Sequence, residues 1–280
     1  MLLISYWHWA IKELNLTSPS AYLDTELLFA DVLGLTRAQL HSQLPDRCLT
    51  VTQLKRIKQL IARRQQGEPV AYLLGRQAFW SLIVEVTPEV LIPRPETELL
   101  IEILLESFSA EPRKIADLGT GSGAISVALA WERPSWRLVA TDYSMAALQV
   151  AKRNIARYHL QTIALRKGNW CQALNVGEKF DGILSNPPYL AQDDPHLKKE
   201  FGLAYEPKNA LISGKKGLDD LERIIIQARK YLHAGGILFL EHGSQQASFV
   251  EEFFLNYGYH EIKNYKDLAG HQRVSSGKWN

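Results

Sequence analysis

The chain has 280 residues, 46% hydrophobic and 22% charged, an ordinary globular composition with room for a large and a small domain. Its net charge of +2 gives no electrostatic case for nucleic-acid binding, so direct DNA contact is not expected. No run approaches the roughly 18 apolar residues that span a bilayer. The opening residues Met1 to His8 lack a signal peptide's basic start, and two distant cysteines, Cys48 and Cys171, suit a reducing cytoplasm without a zinc site.

Residues 1–67 are expected to form a small helical bundle. Leu3, Tyr6, Trp7, Ala10, Ile11 and Leu14 recur at helical spacing. A second helix runs from Tyr22 to Leu33 and closes at Gly34, a third spans Arg37 to Leu44, and a fourth runs from Val51 to Gln66 before Gly67. The fourth carries Lys55, Arg56, Lys58, Arg63 and Arg64, either a solvated face or a docking surface for a partner. Residues 68–92 read as a connector, with a short hairpin from Phe79 to Val86. Pro95 then opens a helix whose first turn holds Glu96 and Glu98, and Arg94 stands at its entrance as a substrate clamp or a structural ion pair.

From Lys114 onward strands and helices alternate, which implies an α/β fold with a mostly parallel sheet. Seven strands are expected: Ile115–Leu118, Leu138–Thr141, Ile163–Arg166, Asp181–Ser185, Ile237–Glu241, Glu261–Tyr265 and Arg273–Ser276. The helices fall near Ala124–Trp131, Ser144–Tyr158, Leu218–Leu232 and Gln245–Tyr257. Ligands in such sheets sit at the carboxyl ends of strands where the winding reverses, so Gly119 and Asn186 should share one cleft.

Two strand ends carry the chemistry. Asp117-Leu118-Gly119-Thr120-Gly121-Ser122-Gly123 is a strand end with a glycine loop, and Asp142 closes the next strand. Gly119, Gly121 and Ala124 also satisfy the dinucleotide pattern G-x-G-x-x-[GA], which makes a nicotinamide cofactor a rival. The charge of Asp117 opposes a pyrophosphate but can hold an ammonium, and Asp142 can accept from ribose hydroxyls. The pair therefore favours S-adenosyl-L-methionine. At the other end, Asn186-Pro187-Pro188-Tyr189 leaves the sheet stiffly, with backbone and side-chain acceptors beside an aromatic ring. This suits an –NH₂ on a planar conjugated system, either a carboxamide or an adenine amine. Trp170 follows the third strand as core packing or a stacking surface, and the loop from Leu190 to Pro207 is a substrate cover or an inert excursion.

Over nearly its whole length the chain resembles the HemK-type protein glutamine methyltransferases. The resemblance rests on Gly67-Glu68-Pro69, Ile92-Pro93-Arg94-Pro95-Glu96-Thr97-Glu98, the glycine loop, Asn186 to Tyr189, Glu206-Pro207, Glu241-x-Gly243 and Asp267-Leu268-x-Gly270-x-x-Arg273. It implies a Rossmann-like class I methyltransferase domain over residues 93–280, acting on a Gly-Gly-Gln glutamine of peptide chain release factors. Residues 1–67 would then recognise the partner. Gly119, Thr120, Gly121, Ser122 and Gly123 would shape the cofactor loop, Asp142 would bind ribose and Trp170 the adenine region. Asn186, Pro187, Pro188 and Tyr189 would hold the target glutamine, with Asn186, Pro187 and Tyr189 at the chemistry. Asn169 stands where related sequences often have Asp. The expected protein is a cytoplasmic monomer without metal. The rivals are a ribosomal-protein glutamine target, an adenine-amine nucleic-acid methyltransferase and a non-enzymatic adenosylmethionine-sensing module.

Overall fold

The computed structural model describes residues 2–199 and 202–280 and divides into two compact units. The first comprises Met1–Arg76 with Pro195–Tyr205, and the second Gln77–Asp194 with Glu206–Asn280.

The first unit holds α1 (Leu3–Leu14), α2 (Ala21–Leu33), α3 (Arg37–Gln43), α4 (Val51–Gln65) and α5 (Val70–Leu74). Thr36 and Thr50 open α3 and α4 with reciprocal capping boxes to Gln39 and Gln53, so two backbone donors are satisfied at each start. Leu3, Leu14, Leu28, Phe29, Leu40, Ile57 and Leu60 are fully buried, and Trp7 packs edge-on against Phe29. Arg64 is not part of a solvated basic face. It is buried, with Nε donating to Asp24 at 2.7 Å and Nη2 to Ser18 at 3.1 Å. Arg63 is exposed but pairs with Glu68, and Lys55, Arg56 and Lys58 are exposed as well. Helix α5 lies in the stretch expected to be a connector and ends at Gly75. Pro195–Tyr205, from the middle of the loop expected as a cover, clusters with this unit, and Tyr205 donates to the Gln66 carbonyl at 3.0 Å. Glu200 and Phe201 of that loop, like Met1, lie outside the described residues.

A hairpin, β1 (Arg76–Phe79) and β2 (Leu82–Glu85), turns at Trp80 and belongs to the second unit from Gln77 onward. A 3₁₀ turn at Pro95–Thr97 leads into α6 (Glu98–Ser107). Next come β3 (Lys114–Leu118), α7 (Ala124–Glu132), β4 (Arg137–Asp142), α8 (Met145–Arg157), β5 (Ile163–Lys167) and β6 (Phe180–Ser185). After these lie α9 (Asp219–Ala228), β7 (Leu232–Glu241), α10 (Ala247–Asn256), β8 (His260–Lys266) and β9 (Gln272–Lys278).

All seven expected strands form one sheet in the order β5-β4-β3-β6-β7-β9-β8. The pairings from β5 through β7 are parallel, while β9 runs antiparallel to both neighbours. Ile115, Ala116, Ile183, Leu184, Leu238 and Phe239 are fully buried, as strands covered on both faces require. Helix α9 ends at Ala228, short of the expected Leu232, because Leu232 is already a strand residue paired with Phe180.

Winding from β3 runs through β4 to β5, then returns past β3 to β6. The reversal therefore falls between β3 and β6, where a crevice opens at the carboxyl ends. Leu118 pairs with Ser185, so Gly119 and Asn186 each stand one residue beyond the pairing. The Ser185 hydroxyl donates to the Leu118 carbonyl at 2.6 Å and ties the two strand ends together.

Candidate active site

The glycine loop is organised from beneath. Asp117 is fully buried, and its Oδ2 accepts from Thr120 at 2.6 Å and Ser126 at 2.7 Å. Oδ1 has no partner among the described residues, and burial pushes the carboxyl up to about 6. Asp117, Thr120 and Ser122 thus stand behind the cleft wall, whereas Gly119 and Gly121 line it. The Ser122 carbonyl accepts from Asn154 Nδ2 at 2.8 Å, and the same buried amide exchanges bonds with Glu85 of the hairpin. Gly123 caps α7 at φ +79°, a left-handed conformation in which a Cβ would also press on Ala151.

Asp142 closes β4 beside this loop. Its Oδ2 accepts from the Gly121 N–H at 2.9 Å and its Oδ1 from the Ser144 N–H at 2.8 Å, while burial pushes its pKa upward. Each oxygen keeps a lone-pair site beyond these bonds. Trp170 closes another wall from an unusual backbone at φ +51°, and Asp220 accepts from its indole N–H at 3.0 Å. Its ring lies against Gly119 so closely that a Cβ there would come within 2.9 Å of Cζ3.

At the end of β6, Asn186 Nδ2 donates to the Thr97 hydroxyl at 3.0 Å. Asn186 and Pro188 line the cleft; Pro187 is buried, and neither it nor Tyr189 is part of the lining. The Tyr189 phenol, pushed up chiefly by burial, faces Glu241, Arg273, Arg94 and Glu96, and its backbone carbonyl accepts from Gln246 at 2.9 Å. Arg94 pairs with Glu206, which also accepts from the Ile92 N–H at 3.1 Å. Of the two expectations for Arg94, the geometry is that of the ion pair, and Arg94 does not line the cleft.

The cleft is about 270 Å³ and brings together Gly119, Gly121, Asp142, Trp170 and Asn186 from four strand ends and their following loops. Asn169 lines it too, and Tyr143, Val90, Asp220 and Arg223 are among the further lining residues. Of these last four, Tyr143 carried a readable signal, since it directly follows the strand-end Asp142. Val90 comes from a loop and Asp220 and Arg223 from the start of α9, and their placement depends on the tertiary fold. Among the described residues no group of His, Cys, Asp and Glu could hold a metal ion, and no helix is long and apolar enough to cross a membrane.

A parallel sheet reversing at β3 and β6, with a glycine loop and a strand-end carboxylate in the crevice, defines the Rossmann-like methyltransferase class. A solved methyltransferase from Pyrococcus furiosus shares the fold with a TM-score of 0.53 and 22% identity, over 72% of this chain and 90% of that one. Residues 95–214 match the methyltransferase small domain family, and residues 5–75 match the PrmC N-terminal domain. The release factor glutamine methyltransferase of Pseudomonas aeruginosa is 45% identical over 262 residues, covering 94% of each chain. That of Escherichia coli is 39% identical over 279 residues, covering 99% of each. The chain belongs to the release factor glutamine methyltransferase family.

Proposed function

We propose that the protein methylates the side-chain amide nitrogen of the Gly-Gly-Gln glutamine in class 1 peptide chain release factors, with S-adenosyl-L-methionine as donor. The observation that carries this reading is the Asn186 amide. Its Nδ2 is occupied by Thr97, which leaves Oδ1 as an acceptor at the cleft wall, one strand from the glycine loop.

The residues present fit that cofactor. The loop backbone is open at Gly121, Gly119 is held to a bare Cα by the Trp170 ring, and Asp142 retains acceptor capacity toward the cleft. Asp142 would receive the ribose hydroxyls, Trp170 and Tyr143 would flank the adenine region, and Asn169 can accept from the adenine amine. Asp117 is assigned to anchoring the loop through Thr120 and Ser126, and Gly119 to Gly123 to shaping it. Bound there, S-adenosylmethionine supplies a methyl group activated by its sulfonium.

A carboxamide nitrogen is a poor nucleophile, because its lone pair is delocalised into the carbonyl. The Asn186 Oδ1 and the Pro187 carbonyl accept the two amide hydrogens and favour the positive charge that develops on nitrogen as it attacks. Tyr189, which stands behind the cleft lining, would pack against the amide plane once the glutamine side chain enters the corner, and Pro188 holds the corner stiff. These are fixed dipoles whose orientation is set before substrate arrives, so positioning and electrostatics carry the acceleration; the methylated nitrogen, strongly acidic while cationic, gives its extra proton to water, and no strong general base is required. Residues 1–67 are assigned to partner recognition through the exposed Lys55, Arg56 and Lys58. Charge reversal at Arg56 and Lys58 that leaves the substrate KM unchanged would remove that assignment.

The deciding experiment offers radiolabelled adenosylmethionine with a release factor, the same factor with its Gly-Gly-Gln glutamine replaced, and unmethylated duplex DNA. Label on the intact factor alone is expected. Label on DNA would transfer the corner to adenine-amine chemistry, and label on the glutamine-replaced factor would refute the target.

A further inference from the structure

The Asn186 carboxamide can sit in its socket two ways, and only one suits the reaction proposed above. With Oδ1 toward the cleft it accepts from the substrate amide; with Nδ2 there, two donors would face each other. Something must decide between them.

Nδ2 donates to Thr97 Oγ1 at 3.0 Å. A hydroxyl has one proton, so a Thr97 that accepts from Asn186 must send its own proton elsewhere. Thr97 is buried, at 4% exposure, and water is not a ready recipient. The neighbouring acceptor is Glu241, the last residue of β7. The register pairs Ser185 with Leu240, so Glu241 stands one residue past the pairing on β7 as Asn186 does on β6. Glu241 is 1% exposed and its Oε2 has no partner among the described residues. Burial raises its pKa to about 7, with hydrogen bonding to Thr97 and the nearby Arg273 and Arg94 favouring the charged form and Glu96 opposing it.

We propose that Glu241 and Thr97 are positioning residues that set the orientation of the Asn186 amide: Glu241 accepts the Thr97 proton, Oγ1 accepts from Nδ2, and Oδ1 alone faces the cleft. Where Glu241 is ionised, above about pH 7, the carboxylate gives the relay its direction. Were Thr97 to turn its proton toward Asn186 Oδ1 and let the amide flip, a buried carboxylate would lose its donor, an unfavourable exchange. Neither Glu241 nor Thr97 touches substrate. The relay also gives Glu241-x-Gly243 and the Thr97 of the proline-rich segment a shared purpose.

This inference rests on the proposed reaction, and the two fail differently. A wild-type enzyme that does not label the Gly-Gly-Gln glutamine refutes the reaction before any variant is made. Given wild-type turnover, Thr97→Val keeps the side-chain volume and removes the hydroxyl. It should lower kcat at least about tenfold, with adenosylmethionine affinity by calorimetry, substrate KM and thermal midpoint within about twofold or a few degrees of wild type. Thr97→Ser restores the hydroxyl and should recover kcat to within about twofold. Glu241→Gln, whose carboxamide can meet Thr97 with either end, should lower kcat alone but add nothing in a Thr97→Val background. Wild-type kcat in Thr97→Val, no rescue by Ser, wild-type kcat in Glu241→Gln, or losses that multiply in the double variant would each overturn the relay.

Discussion

Gly119→Ala tests the contact that shapes the proposed cofactor cradle. Gly119 sits at φ +74°, and an added Cβ would stand 2.9 Å from Trp170 Cζ3. Two costs follow. The left-handed backbone costs an alanine about 1 kcal/mol. The indole must also retreat, although Asp220 holds its N–H at 3.0 Å, and losing that bond costs about 1 kcal/mol more. If the loop keeps its shape only when the cofactor is bound, the sum of about 2 kcal/mol appears as a roughly thirtyfold weaker adenosylmethionine Kd. Calorimetric titration of Gly119→Ala, Trp170→Leu and the double variant separates the two costs. In the Trp170→Leu background the glycine substitution should cost only its backbone share, about fivefold. An equal loss in both backgrounds would refute the steric argument, and unchanged affinity in Gly119→Ala would refute both parts.

Asn186→Ala should lower kcat by about 10²-fold or more, while cofactor affinity falls much less; normal turnover in a label-transfer assay would remove Asn186 from the chemistry. Arg94→Ala leaves Glu206 buried without its cation, so a loss of about 2 kcal/mol in denaturant unfolding is expected with little change in substrate KM. A raised KM at unchanged stability would return Arg94 to the role of substrate clamp. Glu241 titrates near 7 in the folded chain against a usual 4.5, so folding holds its proton more tightly than the unfolded chain does. The stability it contributes is complete below about pH 4.5 and is lost as pH rises toward 7. Glu241→Gln should therefore flatten the decline of thermal midpoint across that window, and an unaltered slope would count against the burial of its charge.

Sheet and helices were legible because their signals are local. Ile115–Leu118 and Asp181–Ser185 are short apolar runs ended by glycine or proline, and Gly34 ends α2 where its left-handed φ of +64° is observed. The errors fall where local signals are ambiguous. Leu232 follows Ala228 through arginine, lysine and tyrosine with no breaker, so helix and strand cannot be separated until Phe180 supplies the pairing. Helix α5, five residues of Val-Ala-Tyr-Leu-Leu, is too short for its periodicity to count. Within the cleft, Asp142 and Asn186 were visible as polar residues at strand ends. Asp220 was not, because its position under the Trp170 indole depends on the approach of α9 to a loop fifty residues earlier in the chain. Asn154 looked like an ordinary helix residue, yet it is fully buried and binds both the hairpin and the glycine loop. Arg94 shows the reverse: the motif marked it, but only the fold disclosed Glu206 as its partner.

The bond from the Ser185 hydroxyl to the Leu118 carbonyl has a consequence for how such an enzyme can change its target. It welds the shelf that would hold the donor to the corner that would hold the acceptor, within a sheet whose strand spacing is set by backbone hydrogen bonds at about 4.8 Å. The separation of these two strand ends therefore belongs to the sheet backbone, with the Ser185 hydroxyl as its tie. Substitutions that keep Ser185 and the β3–β6 pairing therefore leave the interval between the glycine loop and the Asn186 corner as it is, whatever they change at the rim.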